Sequence, residues 1–124
     1  KLPTNGAYPR RMTQSIIDIF FLQQLINNGF STGYFIFFTN LLNFTQGTET
    51  DGIYSYFRNR KFLNEFCCHD IPQFMLETEA RKLFTLLDSN SIRLDGNYRI
   101  EFQSLINNNV TYYYFLIKLN RNGN

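Results

Sequence analysis

Apolar residues recur at Met12, Ile16, Ile19, Phe20, Leu22, Leu25 and Ile26. That spacing lays them on one side of a helix. Before them, 1–11 holds Pro3, Gly6 and Pro9 and reads as irregular. Thr13 stands where a cap falls, and Asn28-Gly29 supplies a left-handed stop. The segment from Phe30 to Phe38 ends in the most apolar stretch of the chain, Gly33 to Phe38. A short run of this kind predicts a strand buried on both faces. Residues 40–52 are polar and rich in turn formers, so they read as a loop. Ile53-Tyr54-Ser55-Tyr56-Phe57 reads as a strand, Asn59-Arg60 as a turn and 61–66 as the returning strand, together a hairpin.

Pro72 breaks the chain. Residues 78–87 carry Ala80, Leu83, Phe84 and Leu87 on one side and predict a second, shorter helix. Ile92-Arg93-Leu94 and Tyr98-Arg99-Ile100-Glu101-Phe102 alternate on either side of Asp95-Gly96. That arrangement is a strong hairpin signal. Asn107-Asn108-Asn109 marks another turn, before a β-rich run from Val110 to Leu119. The sum is an α+β fold. An amphipathic helix with strands occupies the first half; a short helix and a β-hairpin with antiparallel sheet occupy the second.

With 124 residues, the chain has the length of one domain, 1–124. It has room for two small lobes at 1–70 and 71–124. Hydrophobic residues are 44% and charged residues 18%, which excludes a disordered polyelectrolyte. There are 14 Phe and 8 Tyr but no Trp. Phe, Tyr, Ile and Asn share A/T-rich codons, so the bias reads as drift of the kind organelle genomes show. Arg nonetheless outnumbers Lys, and the guanidinium is the better fork for phosphate. A net charge of +2 excludes a general polycation, so any RNA contact has to be local. Without an initiator Met, the chain reads as starting inside a longer product. The longest apolar run falls far short of the ~20 residues a bilayer needs, so no membrane partner is expected.

Cys67-Cys68-His69-Asp70 is the obvious candidate for chemistry. Vicinal Cys beside a single His converge poorly on a metal, and no second pair exists. They read as reduced structural residues. Glu77 and Glu79 suit a helix N-terminus. Asn43-Phe44-Thr45 and Asn109-Val110-Thr111 match the glycosylation pattern, as chance allows in an Asn-rich chain. No catalytic residue, metal ligand, cofactor or small-molecule substrate is expected. What remains is cationic: Arg58, Arg60 and Lys61 near Tyr54, Tyr56 and Phe57, Lys118 and Arg121 beside the aromatic run 112–115, and Arg10-Arg11. Basic positions beside aromatics suit phosphate and bases; the plain alternative is a solvated tip.

The order of phrases adds a resemblance. A helix ends in Ile26-Asn27-Asn28-Gly29-Phe30 and leads to Tyr34-Phe35-Ile36. A strand–turn–strand follows at 53–66, then Asp70-Ile71-Pro72-Gln73-Phe74-Met75-Leu76. The chain closes with Tyr113-Tyr114-Phe115-Leu116-Ile117 and Gly123. This order resembles the family of the eighth small-subunit ribosomal protein. Asp70 replaces the usual Ser, the stretch around Asp95-Gly96 is an insertion, and the closing turn lacks hydroxyls. The resemblance implies a structural constituent of an organellar, mitochondrial small ribosomal subunit, with ribosomal RNA and other ribosomal proteins as partners. Its RNA-contacting turn falls on Lys118, Asn120, Arg121 and Asn122; Arg10, Arg11, Arg58, Arg60 and Lys61 are secondary phosphate contacts. The alternative is a non-catalytic accessory subunit of another organellar or viral assembly, with a cytoplasmic location as the other compartment.

Overall fold

A computed structural model of the chain describes residues 7–67, 82, 84–86, 88 and 91–121. The order is helix α1 (Ala7–Asn27), strand β1 (Thr32–Thr39), a 3-10 turn at Leu42–Phe44 and a short helix α2 (Tyr54–Phe57). Strands β2 (Phe62–Cys67), β3 (Ser91–Arg99), β4 (Gln103–Asn107) and β5 (Val110–Asn120) follow. The class is α+β, as the hydrophobic pattern implied. Two antiparallel sheets form, one ordered β1-β5-β4 and one pairing β2 with β3. Each sheet pairs a strand from 1–70 with one from 71–124. No helix among the described residues is long and apolar enough to cross a membrane.

Helix α1 starts earlier than the apolar spacing suggested. Pro9 sits in its first turn, where the missing N–H has no helical partner to lose. Thr13 is therefore inside the helix, and its hydroxyl donates to the Pro9 carbonyl at 2.7 Å instead of capping. Ser15, also buried, donates to the Arg11 carbonyl. Tyr8, Met12, Ile16, Ile19, Phe20 and Ile26 face the core. The helix stops as expected at Gly29, whose φ of 128° only glycine adopts easily. Gly29 N–H bonds Ile26 O and Phe30 N–H bonds Leu25 O, the paired closure of a Schellman end.

Helix α1 lies against β1, β3 and β5. Much of the Phe surplus fills the space between. Phe37 stacks on Phe115 at 5.4 Å, and Phe44, Phe57 and Phe102 meet it edge-on. Edge-to-face and offset rings are the favoured aromatic geometries, so a cluster of rings fills part of a core that Ile, Leu and Met complete.

Three expectations are corrected. The 53–57 segment is a single helical turn with Tyr54, Ser55, Tyr56 and Phe57 all buried, so no 53–66 hairpin forms. Asn59-Arg60 does reverse the chain, with Arg60 at φ 58° and Lys61 N–H reaching back to Ser55 O. Asp95-Gly96 is not a hairpin turn. It lies within β3, where the pairing jumps from Leu63↔Tyr98 to Glu65↔Arg93, so residues 94–97 bulge opposite Asn64. Strand β1 is not buried on both faces: alternate residues face solvent. The tight hairpin is at Asn108-Asn109, both with positive φ, between the paired Asn107 and Val110. Asn tolerates that left-handed conformation better than most residues. The expected helix at 78–87 falls mostly outside the described residues; Lys82, Phe84, Thr85 and Leu86 are helical, with Phe84 buried.

Candidate nucleic-acid interface

Cross-strand partners share a face, so the register fixes what each side of the β1-β5-β4 sheet carries. One face holds Phe35, Phe37, Phe115, Ile117 and Leu119 against α1. The other pairs Tyr34 with Lys118, Ile36 with Leu116 and Phe38 with Tyr114; Leu105 pairs with Tyr112. Tyr34 is 56% exposed, Ile36 63%, Phe38 56% and Leu116 54%. Among the described residues nothing packs over them. With ~150–250 Å² for each aromatic side chain, the patch reaches the several hundred Å² at which exposed apolar surface marks an interaction site.

The rings on this face turn toward one another. Phe38 stacks on Tyr112 at 5.2 Å and lies nearly parallel to Tyr114 at 6.4 Å. Ring faces used in this way are partly taken up within the sheet, and the apolar area left exposed suits the apolar side chains of a protein. Lys118 ends the face, with its ammonium 5.9 Å from the Tyr34 ring centre.

Beyond Lys118 the chain folds back on itself. Asn120 accepts from the Thr32 hydroxyl at 3.2 Å. Arg121 binds Ser31 O through its N–H and Gly29 O through its guanidinium. Asn120 and Arg121 also line a cavity of about 30 Å³ with Gln23, Asp95 and Tyr98. The expected RNA-contacting turn is thus divided: Lys118 is exposed, Asn120 and Arg121 bind the start of β1, and Asn122 lies outside the described residues.

Arg58 is also committed within the chain. Its Nε and Nη2 donate to Asn43 O at 3.0 and 2.5 Å, and Nη1 donates to Glu49 O at 2.7 Å. The guanidinium lies 4.3 Å from the Tyr54 ring centre. Burial pulls the Arg58 pKa below its ordinary value, against the favourable charges of Tyr54 and Glu49. Burial likewise raises the Tyr54 phenol, with Arg58 pulling the other way. Arg58 therefore ties the 43–49 loop to α2. Arg60 and Lys61 are exposed at the following corner, with Lys61 5.9 Å from the Tyr56 ring centre. Arg10 and Arg11 are exposed in the first half of α1.

The expected site missed Arg99. It stands outward on β3, with its guanidinium 4.4 Å from the centre of the Phe62 ring. Phe62, Tyr98, Arg99, Glu101, Leu116, Ile117 and Lys118 line one open cleft of about 560 Å³. Alternation between Tyr98 and Ile100 signals that Arg99 faces outward, but only the fold brings it to the same cleft as Lys118, nineteen positions later in the chain. Among the described residues no cluster of His, Cys, Asp or Glu is placed to hold a metal; Cys68, His69 and Asp70 lie outside them.

Searches of protein-family models, of curated proteins and of solved structures find no match to this chain.

Proposed function

We propose that this chain is a non-catalytic structural subunit of a ribonucleoprotein, of the kind its resemblance to the eighth small-subunit ribosomal protein implies. It serves in an organellar, mitochondrial small ribosomal subunit, where it holds ribosomal RNA locally and packs against neighbouring proteins. The observation that carries this reading is the open apolar face of the β1-β5-β4 sheet, which ends at Lys118. An apolar face is stable in water only at a solvation cost, and covering it contributes roughly 25 cal/mol per Å². A cation at its border gives the neighbouring surface a handle on phosphate. Arg10, Arg11, Arg60 and Lys61 add exposed charge elsewhere.

A second reading is an accessory subunit of a purely protein assembly. The inward use of Arg58 and Arg121 favours it, since both were candidate phosphate contacts. One experiment separates the two: a tagged chain is followed through a sucrose gradient of source-cell lysate, with and without ribonuclease. The ribosomal reading expects comigration with small-subunit RNA and release to light fractions by ribonuclease. Comigration with a complex that ribonuclease leaves intact overturns it in favour of the protein assembly.

A further inference from the structure

Resting on the RNA-binding reading above, we propose that the cleft between the end of β3 and the second half of β5 seats the backbone of a single RNA strand, gripped by Arg99 and Lys118. Both cations line the cleft, and both are exposed. Among the described residues neither is paired with a carboxylate or a backbone carbonyl. That separates them from Arg58 and Arg121, which bind the chain's own carbonyls, and from Arg93, which pairs with Glu65 at 2.7 Å.

Each is held by a ring. Phe62 lies beneath the Arg99 guanidinium and Tyr34 beside the Lys118 ammonium. A ring under a guanidinium covers one flat side and leaves the N–H edge free, and that edge matches phosphate oxygens. Ordering a long cationic side chain before binding also lowers the entropy cost of contact. Glu101 is the third charge of the cleft. A carboxylate repels phosphate but accepts from a ribose 2′-hydroxyl or a base amine. Two cations with one acceptor suit a sugar–phosphate backbone better than a bare phosphate. The cleft is also open, which lets a strand enter and leave.

The test is fluorescence anisotropy with the full chain and a labelled 12-nucleotide single-stranded RNA across a salt series. Inorganic phosphate and ATP serve as competitors. The double variant Arg99→Ala/Lys118→Ala is expected to weaken binding at least tenfold. It is also expected to flatten the slope of log affinity against log salt by about 1.4, or 0.7 for each lost single-strand contact. Glu101→Gln is expected to shift discrimination between RNA and DNA of the same sequence. Arg93→Ala, outside the cleft, leaves the salt slope unchanged, and circular dichroism checks that each variant folds. RNA binding by the unaltered chain with the same slope in the folded double variant overturns the cleft but leaves the RNA-binding reading in place. Displacement by millimolar phosphate or ATP as readily as by unlabelled RNA also overturns it, in favour of a small-anion site. No RNA binding by the unaltered chain overturns both.

Discussion

Gln23 of α1 holds the β3 bulge with both ends of its amide: Oε1 accepts from Asp95 N–H at 2.7 Å, and Nε2 donates to Arg93 O at 3.1 Å. Gln23 is buried, and a bulge leaves backbone groups outside the strand ladder. The amide serves one donor within the bulge, Asp95 N–H, and one acceptor at its edge, the carbonyl of Arg93, which stands opposite Glu65 in the ladder. Gln23→Leu keeps similar bulk and strands both groups. An unpaired buried group costs about 1–3 kcal/mol, and these two are only part-buried, so chemical denaturation is expected to show a loss in the lower part of that range for each, about 2–4 kcal/mol together. Gln23→Glu keeps the acceptor and loses the donor, and is expected to fall between Gln23→Leu and the unaltered chain at neutral pH.

The same bulge needs a residue without a side chain at Gly96. A Cβ there would run into the ring of Tyr98, which is itself buried. Gly96→Ala is expected to destabilise by about 1–3 kcal/mol, as overpacking does. In a Tyr98→Ala background the ring is gone, and adding Gly96→Ala is expected to cost less than half as much. Equal costs in the two backgrounds would mean that the ring is not the obstacle.

Arg58 makes three hydrogen bonds to the carbonyls of Asn43 and Glu49. Only a planar fork reaches both with fixed geometry. Arg58→Ala and Arg58→Lys are both expected to lower stability, by about 1–2 kcal/mol for the alanine, and lysine recovers little of it. Limited proteolysis is expected to cut within 43–51 in both variants and to spare that loop in the unaltered chain.

Tyr54 gives a pH signature. Burial raises its phenol above the ordinary value of about 10. A raised folded-state pKa means that the folded chain holds the proton longer than the unfolded one. Its contribution is full below pH 10 and is lost as pH rises through the folded value. Thermal unfolding is expected to show a midpoint falling above pH 10, and Tyr54→Phe is expected to flatten that part of the fall.

Local chemistry was legible in the sequence where it is decided locally. The Gly29 stop follows from a glycine after an apolar helical face, and the Asn108-Asn109 hairpin follows from residues that tolerate positive φ. The misread segments are decided at a distance. Asp95-Gly96 carries a strong hairpin signal, yet the Asp95 N–H is taken by Gln23, 72 positions away. Tyr54 to Phe57 has residues of high β propensity, but all four are buried together, and tertiary burial overrides so weak a preference. The candidate site divides in the same way. Lys118 was visible as a cation beside aromatics; its cleft partner Arg99 becomes visible only once β3 meets β5. Arg58 looked free because its acceptors are backbone carbonyls, which every residue carries.

The outer sheet face sets the last prediction, because exposure and stability separate there. Ile36 is the most exposed of the apolar side chains on β1 and faces Leu116 across the ladder. A residue this open contributes little to the isolated fold, and exposed substitutions usually stay within about 0.5 kcal/mol. Ile36→Lys is therefore expected to leave the denaturation midpoint nearly unchanged. If the proposed assembly covers this face, the same lysine would be trapped against an apolar partner, where an unpaired charge is costly. The variant is expected to be folded, more soluble and depleted from the heavy gradient fractions relative to the unaltered chain. Phe37→Lys, one position along on the inner face, is expected to unfold the chain outright, since Phe37 stacks on Phe115. If Ile36→Lys entered the particle as well as the unaltered chain does, the outer face would not be where the neighbours sit.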